Sequence, residues 1–111
     1  MKKVALIVAG GKGERMNADI PKQFLLLNNL PILMHAIKQF SHFDEIILVL
    51  PHLQFDYWKI LCEKYSFKIE HTLVAGGESR FHSVKNGLIK VANNSVVAIH
   101  DGVRPLVSKT L

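Results

Sequence analysis

The stretch VALIVAGGKGERM, residues 4–16, decides the fold. Val4 through Ala9 run without a polar break, and the chain then passes through Gly10-Gly11-Lys12-Gly13 to Arg15. An apolar run of that kind, stopped by glycine, has the form of a strand buried on both faces, as in parallel sheets. Glycine at a strand end lets the backbone adopt conformations that other residues avoid and lets a ligand come close to the amides. Successive amides in such a loop form a concavity for anions.

Working outward, further strands are predicted at residues 45–50, 70–74 and 95–100, those at 45–50 and 95–100 as continuously apolar as the first. Between them the period changes to that of a helix. Residues 31–42 set Leu33, Ala36, Ile37 and Phe40 on one stripe, with Pro31 in the permitted first turn. Residues 53–65 do the same with Leu53, Tyr57, Leu61 and Tyr65, and residues 79–92 with Phe81, Val84, Leu88 and Val91. Strand and helix alternate, so the expected fold is α/β: a Rossmann-like parallel sheet with helices on both faces and right-handed crossovers, with residues 1–111 as the N-terminal part of a single domain. Ser108 has the character of a helix N-cap with no helix after it in the sequence. The sheet would have unfinished edges. The expectation is therefore a truncated fold, the front part of a longer protein or one completed by a partner.

Composition narrows the classes. Apolar residues make up 49% and charged residues 21%, as in ordinary globular domains. The net charge of +5 could serve nucleic acid or a small polyanion. The cations form no long basic run, which argues against nucleic acid. The single cysteine, Cys62, permits no disulfide within the chain and fits a reducing, cytoplasmic setting. The apolar run after Met1-Lys2-Lys3 is too short for a secretory core or a membrane span.

Ligands of open α/β sheets sit beyond the carboxyl ends of the strands. Three unusual loops fall at such ends: residues 10–15 continuing to Pro21-Lys22-Gln23, residues 75–80 with Gly76-Gly77, and residues 100–105 around Asp101. Lys12, Arg15, Lys22, Arg80 and Arg104 make these loops cationic. Asp101 is the exception, and one carboxylate among cations suits Mg²⁺ shared with substrate phosphates. The combination describes a site for a nucleoside triphosphate with Mg²⁺. Plainer readings exist for each piece: glycines as turns, Asp101 as a strand-end residue, the arginines and lysines as solvated surface charges. His100 reads as a packing residue, the other histidines show no metal-ligand spacing, and Cys62 reads as core. The coincidence of three such loops on one expected rim favours the ligand site.

Two common nucleotide motifs fail. The dinucleotide pattern would need glycine where Met16 stands and an acidic residue where the second strand ends in Leu50-Pro51. The P-loop needs a lysine followed by Ser or Thr, and no such pair follows the first strand.

The segments AGGKGERM, PKQF, GGESRFHSV and HDGVRP, in that order, resemble the cytidylyltransferases that act on 2-C-methyl-D-erythritol 4-phosphate in the non-mevalonate isoprenoid pathway. Ribitol-5-phosphate cytidylyltransferases are similar over the same region and are the close alternative; a non-catalytic nucleotide-binding fragment is another. The resemblance implies a fold of the nucleotide-diphospho-sugar transferase type. It implies a nucleotidyltransferase joining CTP to a sugar-alcohol phosphate, with Mg²⁺, neither nucleic acid nor membrane as partner, and a homodimer at full length. By the same resemblance Arg15 and Lys22 stabilise charge at the α-phosphate, and Ala9, Gly10, Gly11 and Gly13 line the nucleotide through their backbone. Gly77, Glu78, Arg80 and Ser83 hold ribose and cytosine, with Arg80 and Ser83 sharing a helix face opposite the apolar stripe. Asp101 binds the metal and Arg104 meets the substrate phosphate. Lys12 and Glu14 fall at variable positions and carry no implied chemistry. Family members are about twice this length, within the usual range of single domains. These 111 residues alone are expected to be inactive.

Overall fold

The computed structural model describes residues 1–9 and 21–102. A four-stranded parallel sheet is built from β1 (Lys2–Val8), β4 (Glu45–Leu50), β5 (Thr72–Ala75) and β6 (Ser95–Asp101), in the order β5-β4-β1-β6. The two central strands are those with the densest apolar runs. Val4, Ala5, Leu6 and Ile7 of β1 and Ile47, Leu48 and Val49 of β4 are fully buried. Alternate residues of β1 and β4 feed two separate cores, one on each face of the sheet.

On one face lie α1 (Ile32–Gln39) and α2 (Phe55–Lys64). Their Leu33, Met34, Ile37, Trp58 and Leu61 pack on Ile7, Leu48 and Leu50. On the other face lies α3 (Arg80–Ile89), whose Val84 packs on Val4, Leu6, Val8, Ile47 and Val49. Helices therefore cover both faces, as expected. All three helices lie within the expected ranges.

Three expectations are corrected. The run at residues 95–100 looked like a strand buried on both faces. β6 instead has β1 as its one strand neighbour among the described residues, and Val96 and Ile99 are about half exposed. An apolar run identifies a strand but not its place in the sheet. In α2, Leu53 and Tyr57 do not lead the buried stripe: Leu53 is 93% exposed, and Trp58 and Leu61 point inward. A 3-10 turn at His52–Gln54 precedes the helix, and its tighter winding shifts the phase assumed for a continuous helix from Leu53. In α3, Phe81 (70% exposed) and Leu88 face outward, while Ser83 and Gly87 face the sheet. The cause is close approach. A Cβ on Gly87 would lie 2.4 Å from Leu6 Cδ1 and 3.0 Å from Val49 Cγ2, so only the smallest residue fits there.

A small hairpin, β2 (Leu26–Leu27) and β3 (Leu30–Pro31), leads into α1. Its two-residue turn uses Asn28 and Asn29 at φ 54° and 67°, a left-handed conformation that asparagine tolerates well. On the aromatic face, the Trp58 indole N–H donates to His71 Nε2 at 3.0 Å, and the other ring nitrogen of His71 bonds the Ile69 carbonyl at 2.9 Å. Burial lowers the His71 pKa below its ordinary 6.5, partly countered by the Ile69 bond.

Candidate functional site

Register aligns the carboxyl ends of all four strands. Ala75 stands opposite Leu50, Val49 opposite Val8, and Val8 opposite Asp101. The next residues continue the ladder: Gly76 N–H donates to Leu50 O, Ala9 N–H to Val49 O and Gly102 N–H to Val8 O, each at 2.8–2.9 Å. The three loops singled out in the sequence thus leave from one rim, in the spatial order set by β5, β4, β1 and β6.

Lys22 reaches that rim through a 3-10 turn, Lys22–Phe24. Two side chains fix the turn. Gln23 is fully buried and its Nε2 donates to the Ala9 carbonyl at 3.3 Å and to Gln54 Oε1 at 2.7 Å. Phe24 is buried against Trp58 and Tyr57, with ring centroids 6.0 and 5.1 Å apart. Lys22 itself is exposed. Its backbone is thereby tied to the start of the glycine loop and to the turn after β4.

The loop before α3 is held from within. Ser79 is the N-cap, its Oγ accepting the His82 N–H at 3.2 Å. The Ser83 hydroxyl accepts the Gly77 N–H at 3.0 Å. A Cβ on Gly77 would meet His82 Cβ at 2.4 Å, so a side chain at this position is excluded by the first turn of the helix. Glu78 and Arg80 are exposed above it. The expectation that Arg80 and Ser83 share a face opposite the apolar stripe is corrected: Ser83 is only 2% exposed and belongs to the buried face. Its hydroxyl serves the Gly77 amide. Asn86 was not anticipated; its Nδ2 donates to the carbonyl of Ala75, the last residue of β5, at 3.1 Å. Asparagine inside an amphipathic pattern carries no signal of such a role.

Asp101 closes β6 at the far side of the rim, half buried. Lys22, Arg80 and Asp101 therefore all lie towards the carboxyl edge of the sheet, Lys22 on a turn packed on the α1–α2 face and Arg80 at the start of α3 on the other face. Gly10, Gly11, Gly13, Arg15 and Arg104, with Lys12 and Glu14, lie outside the described residues. The His100 ring packs edge-on to Phe40 at 5.1 Å. Cys62 packs beside the aromatic core, and burial pushes its thiol up to about 11, which fits a packing role.

Among the described residues no three or more His, Cys, Asp or Glu side chains cluster as a metal cage would require. A single strand-end carboxylate fits a cation held mainly by phosphate oxygens, as Mg²⁺ commonly is. No described helix is long and apolar enough to cross a membrane.

The 2-C-methyl-D-erythritol 4-phosphate cytidylyltransferase family model matches residues 3–111. The enzyme of that name from Porphyromonas gingivalis is 59% identical over 108 residues, covering 96% of this chain and 49% of its own length. Among solved structures, 4-diphosphocytidyl-2C-methyl-D-erythritol synthase from Anaerococcus prevotii superimposes with a TM-score of 0.73 at 30% identity, covering 95% of this chain and 44% of the other. The Francisella tularensis 2-C-methyl-D-erythritol 4-phosphate cytidylyltransferase gives 0.70 at 31% identity, covering 98% and 48%. The chain spans about half the length of the curated relatives it matches.

Proposed function

Because this chain belongs to the 2-C-methyl-D-erythritol 4-phosphate cytidylyltransferase family, we propose that the protein carrying it joins CTP to 2-C-methyl-D-erythritol 4-phosphate in isoprenoid precursor synthesis. The observation that carries this reading is the common rim: Lys22, the Gly76–Arg80 loop and Asp101 leave the same edge of one parallel sheet. A phosphate oxygen of the alcohol substrate attacks the α-phosphorus of CTP. A new P–O bond forms, the bond from the α-phosphorus to the bridging oxygen breaks, and pyrophosphate leaves. The attacking oxygen is already anionic near neutral pH, so neither a strong base nor a protein nucleophile is needed.

What the protein must supply is positioning and countercharge. Lys22 and Arg15 are assigned to the charge that develops at the α-phosphate. Ala9, Gly10, Gly11 and Gly13 are assigned to the backbone wall of the nucleotide. Gly77, Glu78 and Arg80 are assigned to ribose and cytosine, with Ser83 acting on them by holding the Gly77 amide. Arg104 is assigned to the phosphate of the alcohol. Asp101 would hold Mg²⁺, which when bound neutralises triphosphate charge. The protein acts in the cytoplasm, as a homodimer at full length.

The test is pyrophosphate release by the complete protein with CTP, Mg²⁺ and the alcohol phosphate. Turnover is expected, and Lys22→Ala or Arg15→Ala should each lower kcat about 10²-fold or more, the scale of a lost transition-state donor. Turnover with ribitol 5-phosphate alone, or full kcat in both variants, contradicts the assignment.

A further inference from the structure

We propose that Gln23 is a positioning residue: its carboxamide, held between the Ala9 carbonyl and the Gln54 side chain, sets where Lys22 stands relative to the carboxyl end of β1. The inference rests on the catalytic reading of Lys22 given above. A three-residue turn has almost no internal rigidity. Among the described residues, the backbone of Lys22–Phe24 is closed by Phe24 N–H to Pro21 O at 3.0 Å and Leu25 N–H to Lys22 O at 3.1 Å. Leu25, just after it, is tied to the start of α1 by Ile32 N–H to Leu25 O at 2.8 Å, and two buried side chains, Gln23 and Phe24, tie the turn itself to the sheet.

They do different work. Phe24 makes apolar ring contacts with Tyr57 and Trp58, which resist removal from the core but restrain direction weakly. Gln23 makes directed bonds. A fully buried amide is costly unless hydrogen-bonded, and methionine would fill a similar volume at less risk. The bonds reach two different strand ends, Ala9 after β1 and Gln54 after β4. They therefore lock the turn in register with the rim. Lys22 is a flexible stem carrying a point charge, so the location of its Cα bounds where the ammonium can act. Misplacement of a catalytic group by about 1 Å can cost about 10²-fold in rate.

Gln23→Met, Gln54→Met and Gln54→Glu in the complete enzyme test this. Gln54 is only half buried, so its variants are expected to fold even if Gln23→Met does not. Gln23→Met should lower kcat about 10-fold or more with little change in KM for CTP. Gln54→Met should act in the same direction, and Gln54→Glu, which keeps an acceptor for Gln23 Nε2, should recover most of the loss. In a Lys22→Ala background Gln23→Met should add nothing, because both act through one group. The idea is overturned if Gln23→Met multiplies the Lys22→Ala defect in full. It is equally overturned if the Gln54 pair leaves kcat unchanged while only the melting temperature moves. A wild-type enzyme without turnover removes the proposed function and this inference together. An impaired Lys22→Ala beside a fully active Gln23→Met removes this inference alone.

Discussion

The two faces of the sheet are covered by opposite means. On one, α1 and α2 bring Leu33, Met34, Ile37 and Trp58, with Phe24 stacked over Trp58. On the other, α3 lies so close that it presents Ser83 and Gly87, and it turns Phe81, Leu88 and Ile89 away from the sheet. The difference teaches that helix-to-sheet distance, not apolarity alone, decides which residues face a core. It also separates tasks. The thick face carries most of the burial. The close face brings Ser83 within hydrogen-bond reach of Gly77 and so shapes the rim.

The comparison breaks most easily at Trp58. Trp58→Ala removes the largest fully buried side chain and should cost about 3–5 kcal/mol, read as a lower urea midpoint. A loss below about 1 kcal/mol would mean that the aromatic face is not the main source of stability. Gly87→Val probes the close face by overfilling it. Leu6 and Val49 are fully buried and have little room to move, so about 1–3 kcal/mol should be lost, with the rim loop displaced. A Gly87→Val protein as stable as the parent would show that α3 can stand off.

Acid supplies the third and smallest probe, confined to the aromatic face. The folded-state pKa of His71 is lowered, so on acidification the unfolded chain takes up the proton first. Stability from this group is complete above the ordinary 6.5, falls as pH drops through 6.5 towards the folded-state pKa, and is flat below it. Protonation also sets a second N–H against the Trp58 indole N–H. The urea midpoint should fall between pH 7.5 and 5.5 by more in the wild type than in His71→Leu. An equal fall in both would remove His71 from the account.

Much of this was legible in the sequence, for reasons that can be located. The runs Val4–Ala9 and Glu45–Leu50 announced buried parallel strands because burial on both faces leaves no polar position within the run. The rim followed from strand ends, since parallel strands deliver every βα loop to the same side. What failed were the residues set by three-dimensional fit. Nothing in Phe81 or Leu88 says that Gly87 has already claimed the space beneath α3. Nothing in Leu53 reveals the change of winding at His52–Gln54. Gln23 stood in view within PKQF, yet a glutamine's neighbours across the fold are not written beside it.

Cys62 has a use that follows from its position alone. It is the sole sulfhydryl of the chain, and packing beside the aromatic face suppresses its ionisation. Alkylating agents attack only the ionised sulfur, so each excursion that lifts α2 from the sheet would switch it on. The molecule therefore carries its own covalent clock for breathing on that side, with no probe to install.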